Sequence, residues 1–162
     1  MKNRSKDIKL SDCSITIRTM QSEDVKRAAE LEKAAFSKPW SEASLLSMTD
    51  REDALYVVAE TDGILVGMCG VINACGDGDV GNVTVEKSFQ GKGIAKAMLQ
   101  TLFMWGQEIG VENYTLEVRA GNQVAINLYE SLGFKSEGIR PGFYDLPRED
   151  AMIMWKRQET DG

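Results

Sequence analysis

Histidine is absent from all 162 residues of this chain. Its absence excludes Ser-His and Cys-His nucleophilic pairs and most catalytic zinc sites, because all of these depend on an imidazole. A general acid or base must therefore be a carboxylate, a lysine, a tyrosine, a cysteine or a backbone group. We accordingly expect no metal cofactor.

Cysteines and long apolar runs are also scarce. Cys13, Cys69 and Cys75 form a sparse, odd-numbered set, which argues against the disulfide framework of a secreted domain. No apolar run approaches the length that spans a membrane, and Met1–Ser11 lacks the apolar core of a signal peptide. The sequence therefore predicts a cytoplasmic protein with no membrane partner.

Basic residues are outnumbered by acidic ones. The chain has 19 Lys and Arg against 25 Asp and Glu, which gives a net charge of −6. Affinity for nucleic acid rests largely on Lys and Arg that neutralise phosphates, so we expect no direct nucleic-acid partner. An acidic surface is instead compatible with a basic partner.

Apolar residues alternate between strand-like and helix-like spacing and predict one α/β domain. The domain is expected at residues 13–157, after a flexible lead-in at 1–12 and before a polar tail at 158–162. Pro39 ends the first helix, and Thr61-Asp-Gly63 marks a hairpin. Strands are predicted at about 15–17, 55–60, 64–72, 79–85, 114–118, 134–142 and 151–156, and helices at about 24–35, 41–48, 94–109 and 123–132.

A glycine-bearing turn joins the predicted strand 79–85 to the helix that begins near residue 94. The first turn of a helix has unpaired N–H groups and the positive end of the helix dipole, so it binds anions. Gly91 and Gly93 let the backbone approach an oxygen with no Cβ in the way. Lys92 or Lys96 would add a positive charge.

Two nucleotide-binding patterns do not fit this turn. A Walker loop requires glycine where Glu86 stands and Ser or Thr where Gly93 stands. A dinucleotide fingerprint requires a small residue where Lys96 stands. By itself, a glycine turn before a helix is more often only a turn.

Glu117 lies in the predicted strand 114–118. Alternation places Leu116 and Val118 on one face of the strand and Glu117 on the other, with Thr115 and Arg119. A carboxylate in a central strand is costly unless it is solvated or paired. An ion pair with Arg119 satisfies that condition, and so does a catalytic base that lines a wet cleft.

Asn122 and Tyr129 belong to the helix that follows. Asn122 immediately precedes this helix, and a side-chain cap explains it well. Tyr129 lies on a later turn, where tyrosine usually packs on an amphipathic face. The alternative is that its hydroxyl protonates a leaving thiolate.

Two segments together resemble the GNAT acetyltransferases. Gln90-Gly-Lys-Gly93-Ile-Ala95 is similar to that family's Gln/Arg-x-x-Gly-x-Gly/Ala loop. The stretch Asn122-x-x-Ala-x-x-Leu-Tyr129-x-x-x-Gly-Phe134 is similar to its second conserved segment. The resemblance implies a single α/β domain with a mixed, mostly antiparallel central sheet flanked by helices on both faces. It also implies acetyl-CoA as the co-substrate.

The same resemblance assigns roles to individual residues. The loop that would hold the pyrophosphate of coenzyme A consists of Gln90, Gly91, Lys92, Gly93, Ile94 and Ala95. Val83 and Val85 would run beside the pantetheine arm, and the Val85 N–H would donate to the thioester carbonyl. Asn122 would belong to the coenzyme site as well. Glu117 would act as base, directly or through water, and Tyr129 as acid.

Further stretches resemble one branch of the family, the bacterial ribosomal-protein-alanine N-acetyltransferases (RimI type). These stretches are Phe36–Ser44, Leu116–Arg119 and Glu149–Met154. The branch implies that the acceptor is a protein N-terminus, an alanine of a small-subunit ribosomal protein. Phe36–Ser44 and a loop at Arg140–Pro147 would select the peptide, with Trp40 and Tyr144 as candidate walls of its groove.

The chain departs from the branch at two places. Gln90 stands where arginine is commoner, and Pro141-Gly-Phe143 alters a segment that is often richer in tyrosine. Two alternatives therefore stay open: an acetyltransferase of small amines, such as a polyamine or an aminoglycoside-like compound, and a coenzyme A-binding sensor without turnover. Pro39-Trp40 favours the protein acceptor, and the presence of both Glu117 and Tyr129 argues against the sensor.

Overall fold

Strands and helices alternate along the chain in the computed structural model, which describes residues 3–159. The strands are β1 Ser5–Lys9, β2 Ser14–Thr19, β3 Ala54–Thr61, β4 Ile64–Ala74, β5 Asp77–Val80, β6 Thr84–Val85, β7 Asn113–Arg119, β8 Lys135–Asp145 and β9 Arg148–Lys156. The helices are α1 Val25–Ala35, α2 Glu42–Thr49, α3 Ile94–Gly106 and α4 Gln123–Ser131.

All nine strands belong to one sheet. Its order is β1-β2-β3-β4-β5-β7-β9-β8, and β6 pairs with β4 beside this path. The β5–β7 pair is parallel, and the other pairs are antiparallel. This arrangement confirms the mixed, mostly antiparallel sheet that the family resemblance implies.

The sheet has a hydrophobic core on each face. The first core includes Ile17 and Val57 of the sheet, Met98 and Leu102 of α3, and residues of α4. The second core includes Val58 and Met68 of the sheet and residues of α1 and α2. Adjacent strand residues point to opposite faces, so Val57 and Val58 serve different cores. Helices therefore flank both faces, as predicted, and no helix within residues 3–159 is long and apolar enough to cross a membrane.

Two predicted elements differ from the structure. The single strand predicted at 79–85 is two strands, β5 and β6, because the chain leaves β7 after β5 and continues beside β4. Gly81 between them donates its N–H to the Gly70 carbonyl at 2.9 Å. The loop predicted at Arg140–Pro147 is instead the end of β8 and a tight turn into β9, where cross-strand hydrogen bonds order it.

The flexible lead-in predicted at 1–12 contains strand β1. This strand pairs with β2 from Ser5↔Arg18 to Lys9↔Ser14, and Ile8 packs against the first core. An edge strand tolerates polar residues because one of its faces stays solvated, which is why the charged sequence did not reveal it. Residues 1–2 and 160–162 lie outside the described residues, including most of the polar tail predicted at 158–162.

Glu32 of α1 is a carboxylate in the interior, with 1% of its surface exposed. The Asn82 side-chain Nδ2 donates to both of its carboxylate oxygens, at 3.0 and 3.3 Å. Within residues 3–159, no lysine or arginine forms an ion pair with it. Burial raises the pKa of Glu32 from 4.5 to about 7, although the bond from Asn82 opposes this shift.

Glu32 should make the stability of the fold depend on pH. Between its unfolded pKa of 4.5 and its folded pKa of about 7, only the folded state retains the proton. Raising the pH through this range therefore lowers the free energy of unfolding. Glu32→Gln removes the titration, so the variant should gain about 3 kcal/mol relative to the wild type between about pH 5 and about pH 8. Urea unfolding at several pH values measures the difference.

Glu30→Gln is the matched control, because Glu30 lies on the exposed side of the same helix. Its stability should run nearly parallel to that of the wild type. Parallel curves for Glu32→Gln as well would contradict a raised pKa at Glu32.

Candidate active site

The sheet opens between β6 and β7. Parallel pairing of β5 with β7 ends at Asp79↔Thr115. Beyond that point β6 pairs with β4, and Leu116–Arg119 of β7 pairs, among the described residues, with β9 alone. Backbone groups on the two facing edges are therefore available to a ligand. We call this opening the split.

Val85 presents its backbone to the split. The neighbouring Glu86 N–H donates to the Val66 carbonyl of β4 at 2.7 Å. Successive N–H groups of a strand point in opposite directions, so the Val85 N–H points away from β4. The Val85 carbonyl, on the same side, accepts a bond of 3.0 Å from the Gln90 side-chain amide. Gln90 thus ties the glycine loop to the edge of the split.

The loop before α3 leaves several backbone donors unpaired. Gly93 is the N-cap of α3 with φ of 88°, and no side chain caps the helix. Within the described part of the chain, the N–H groups of Gly93, Ile94, Ala95 and Lys96 have no acceptor. The Gln90 N–H, by contrast, already donates to the Lys87 carbonyl at 3.3 Å. An anion site at this helix start would use the N–H groups from Gly93 onward.

Glycine is required by the conformation of this loop. Gly91 and Gly93 have φ angles of 78° and 88°, which residues with a Cβ rarely adopt. A Cβ built at either position would meet no atom within 4 Å. The positive φ angles, rather than close packing, therefore demand glycine, and the space in front of the loop is open.

Glu117 of β7 lies on the face opposite Leu116 and Val118, as predicted. Its carboxylate faces Arg140 of β8 at 3.7 Å and keeps 28% of its side chain exposed. The ion-pair partner is thus Arg140 rather than Arg119. Because Glu117 stays accessible to solvent, it can still accept a proton from a molecule in the split.

Arg119 organises the turn between β8 and β9 instead. It pairs with Glu149 at 3.3 Å and donates to the Leu146 and Pro147 carbonyls at 3.3 and 2.8 Å. Its guanidinium also lies 4.3 Å from the centre of the Tyr144 ring. These contacts fix Tyr144 against the face that carries Glu117.

Asp79 adds a second carboxyl group near Glu117. The residue is exposed overall, yet the packing around its carboxyl group is the main cause of a raised pKa. The negative charge of Glu117 adds to this rise, and Arg140 opposes it. Sequence reasoning missed Asp79 because only the parallel β5–β7 pairing brings it close to Glu117.

Tyr129 of α4 approaches the split from the opposite face. It is 8% exposed within the first core and packs against Phe134 with ring centres 5.6 Å apart. Its hydroxyl has no hydrogen-bond partner among residues 3–159. Burial, more than the nearby Cys69 and Tyr144, raises its pKa above the ordinary value. The phenol therefore stays protonated at neutral pH and can act as a proton donor.

Asn122 caps α4, as the sequence predicts. Its Oδ1 accepts a bond of 3.2 Å from the Ala125 N–H. Val83 and Val85, on the other strand edge, pack partly against the first core. Val83, Val85 and the helix that Asn122 caps therefore lie on the face of the sheet that carries the first core and Tyr129.

A cavity of about 510 Å³ lies on the other face, between the end of α1 and the β8–β9 hairpin. Its lining includes Phe36, Asn82, Phe143 and Tyr144. Trp40 is not part of this lining; it packs on Tyr56 of the second core, with ring centres 6.2 Å apart. Residues 3–159 contain no group of three or more Cys, Asp or Glu side chains placed to hold a metal ion.

Known proteins match both the sequence and the fold. A model of the acetyltransferase (GNAT) family matches residues 25–134. The [ribosomal protein bS18]-alanine N-acetyltransferase of Haemophilus ducreyi is 34% identical over 142 residues, which cover 85% of this chain and 97% of that protein. The crystal structure of the Escherichia coli ribosomal-protein-S18-alanine N-acetyltransferase has a TM-score of 0.81 at 32% identity, over 91% of this chain and 96% of that one.

A more distant structure shares the fold and contains a ligand. A Salmonella typhimurium protein, solved with its cofactor acetyl-CoA, has a TM-score of 0.79 at 18% identity and covers 91% of this chain and 96% of its own. The family match and the relatives agree over most of the chain. The chain therefore belongs to the GNAT acetyltransferase family and is an acetyl-transferring enzyme.

Proposed function

We propose that this enzyme transfers the acetyl group of acetyl-CoA to the N-terminal α-amine of a protein, an alanine of the ribosomal protein bS18. The observation that carries the proposal is the split, which has a buried phenol on one face and an accessible carboxylate on the other. The acceptor is supported by the two bS18-alanine acetyltransferases, whose similarity extends over 85% and 91% of the chain.

The backbone around the split fits coenzyme A. The unpaired N–H groups of Gly93–Lys96 suit a pyrophosphate, since a helix start favours negative charge. Gln90, Gly91 and Lys92 form the turn that presents these groups, with Ile94 and Ala95 in the first turn of α3. The open edge at Val83 and Val85 suits the amide groups of a pantetheine arm. The Oδ1 of Asn122 caps α4, so the side-chain nitrogen of Asn122 remains available to donate to the coenzyme.

Glu117 and Tyr129 then divide the proton transfers. An α-amine has a pKa of about 8, so Glu117 removes its proton, directly or through water, at neutral pH. The neutral nitrogen attacks the thioester carbonyl, and the Val85 N–H stabilises the oxyanion. As the C–S bond breaks, Tyr129 protonates the departing thiolate, and the second proton that the amine nitrogen must lose passes through water back to the phenolate. The new amide holds the acetyl group, and no covalent enzyme intermediate is needed.

The cavity beside the split suits a peptide N-terminus. Phe36, Phe143 and Tyr144 provide apolar walls, while Asp79 and Glu117 provide negative charge for a positively charged amine. Lys38 of the segment after α1 pairs with Asp145 of the hairpin, which joins the two sides of the cavity. Trp40, the other candidate wall, packs on Tyr56 outside this cavity. The net charge of −6 also suits a basic protein terminus.

Acceptor assays with acetyl-CoA test the proposed function. The acceptors are a basic peptide that starts with alanine, the same peptide with a blocked N-terminus, and a panel of small amines. We expect a mass increase of one acetyl group on the free peptide alone. Acetylation of small amines alone would overturn the protein acceptor. Coenzyme binding with no turnover on any acceptor would indicate a sensor.

Two substitutions test the assigned roles. Glu117→Gln and Tyr129→Phe should each lower kcat by about 10²-fold to 10³-fold, because each removes one proton transfer. The Kd of acetyl-CoA, measured by calorimetry, should stay near that of the wild type. The matched controls are Glu130→Gln, on the exposed side of α4, and Tyr114→Phe, at a buried tyrosine that donates to the Phe103 carbonyl. Unchanged kcat in Glu117→Gln or Tyr129→Phe would contradict the assigned role.

A further inference from the structure

Next to the cavity of about 510 Å³, which we call the acceptor cavity, lies a buried carboxylate that the proposed chemistry does not use. Glu32 is 1% exposed, and within residues 3–159 its carboxylate is hydrogen-bonded by Asn82 alone. A buried carboxylate without a cation is unfavourable for stability. A functional role for Asn82, the residue that Glu32 holds, would explain why this carboxylate is present.

Glu32 fixes the orientation of the Asn82 amide. Both carboxylate oxygens accept from the same Nδ2, at 3.0 and 3.3 Å. Above its pKa of about 7 the carboxylate is ionised and only accepts hydrogen bonds, so the amide nitrogen must face it and Oδ1 must face the other way. A bond to a charged acceptor also polarises the amide and strengthens Oδ1 as an acceptor.

The free oxygen of Asn82 is available to a molecule in the acceptor cavity. Asn82 lines that cavity together with Phe36 and Tyr144. Its Oδ1 accepts no hydrogen bond from any residue in the described range. The wall of the cavity combines apolar side chains with charged ones such as Lys38 and Arg119, and an oriented acceptor atom in such a wall is a typical specificity contact.

Distance along the strand indicates which group of the acceptor this oxygen meets. Asn82 precedes Val85 by three residues, which is roughly 10 Å in an extended strand. The reacting amine must lie beside the carbonyl that Val85 binds. A group at Asn82 therefore lies further into the acceptor than the amine, and the first backbone N–H on that side of the amine is the one between residues one and two.

We infer that Asn82 is an acceptor-binding residue whose Oδ1 accepts the peptide N–H between the first and second residues of the acceptor, and that Glu32 positions it. This inference rests on the proposed function, because it requires a peptide acceptor. A simple amine has no such N–H and leaves the Asn82 oxygen without a donor. The pair thereby selects peptides over small amines.

A pair of acceptors that differ in one atom isolates this bond. One is the alanine-starting peptide, and the other is the same peptide with an ester oxygen in place of the N–H between residues one and two. For the wild type we expect the ester to raise the acceptor KM about tenfold, with a similar kcat. Asn82→Ala should raise the KM of the amide peptide by a similar factor and show no preference between amide and ester.

Glu32→Gln tests the positioning role separately. A glutamine can donate to Oδ1 or accept from Nδ2, so it tolerates both orientations of the Asn82 amide. With the oxygen in the cavity for about half of the time, the acceptor KM should rise about twofold while the Kd of acetyl-CoA is unchanged. The double variant Glu32→Gln/Asn82→Ala avoids a buried carboxylate without a partner and should behave like Asn82→Ala. Glu30→Gln is the control and should match the wild type.

The outcomes separate this inference from the proposed function. If the wild type fails to acetylate the amide peptide, the proposed function falls and this inference falls with it. If the wild type acetylates it but the Asn82 variants still prefer the amide to the ester, the Asn82 contact is wrong and the proposed function stands. If Glu32→Gln lowers kcat and KM changes little, Glu32 does not position Asn82.

Discussion

The site depends on where one parallel strand pair ends. Backbone hydrogen bonds join β5 to β7 as far as Asp79↔Thr115, after which the chain moves to β4 as β6. A closed sheet would satisfy these backbone groups internally and leave no room for a ligand. Here the two edges stay apart, so their N–H and C=O groups need water or a ligand. The split, the orientation of the Val85 N–H and the open space before Gly93 all follow from this one interruption.

The same interruption lets two different environments meet. Tyr129 lies in the first core, where burial keeps its phenol protonated. Glu117 lies on the opposite face, where its carboxylate contacts Arg140 and solvent. A proton donor and a proton acceptor are thus prepared by burial on one side and exposure on the other. This separation explains how the chain can perform acid–base chemistry without histidine.

Local patterns in the sequence predicted much of this arrangement. Alternation around Glu117, the capping position of Asn122 and the glycines at 91 and 93 each have a short-range physical cause, and the structure contains all three features. Features that depend on distant pairing were not predictable. The split needs β5 to meet β7, and the Asn82 contact needs α1 to lie on β6. The only sign of this contact in the sequence is that Glu32 stands at a position where the helical spacing of α1 calls for an apolar residue.

Amide hydrogen exchange on coenzyme binding, measured by NMR, tests the central claim that the split receives coenzyme A. Acetyl-CoA should slow exchange at Val83, at Val85 and at Gly93–Lys96. Acetylpantetheine, which keeps the thioester but lacks the pyrophosphate, should slow exchange at Val83 and Val85 alone. Glu86, whose N–H already bonds to Val66, should change little and serves as the internal reference. Protection of amides elsewhere, with none at Val85 or Gly93–Lys96, would contradict the account.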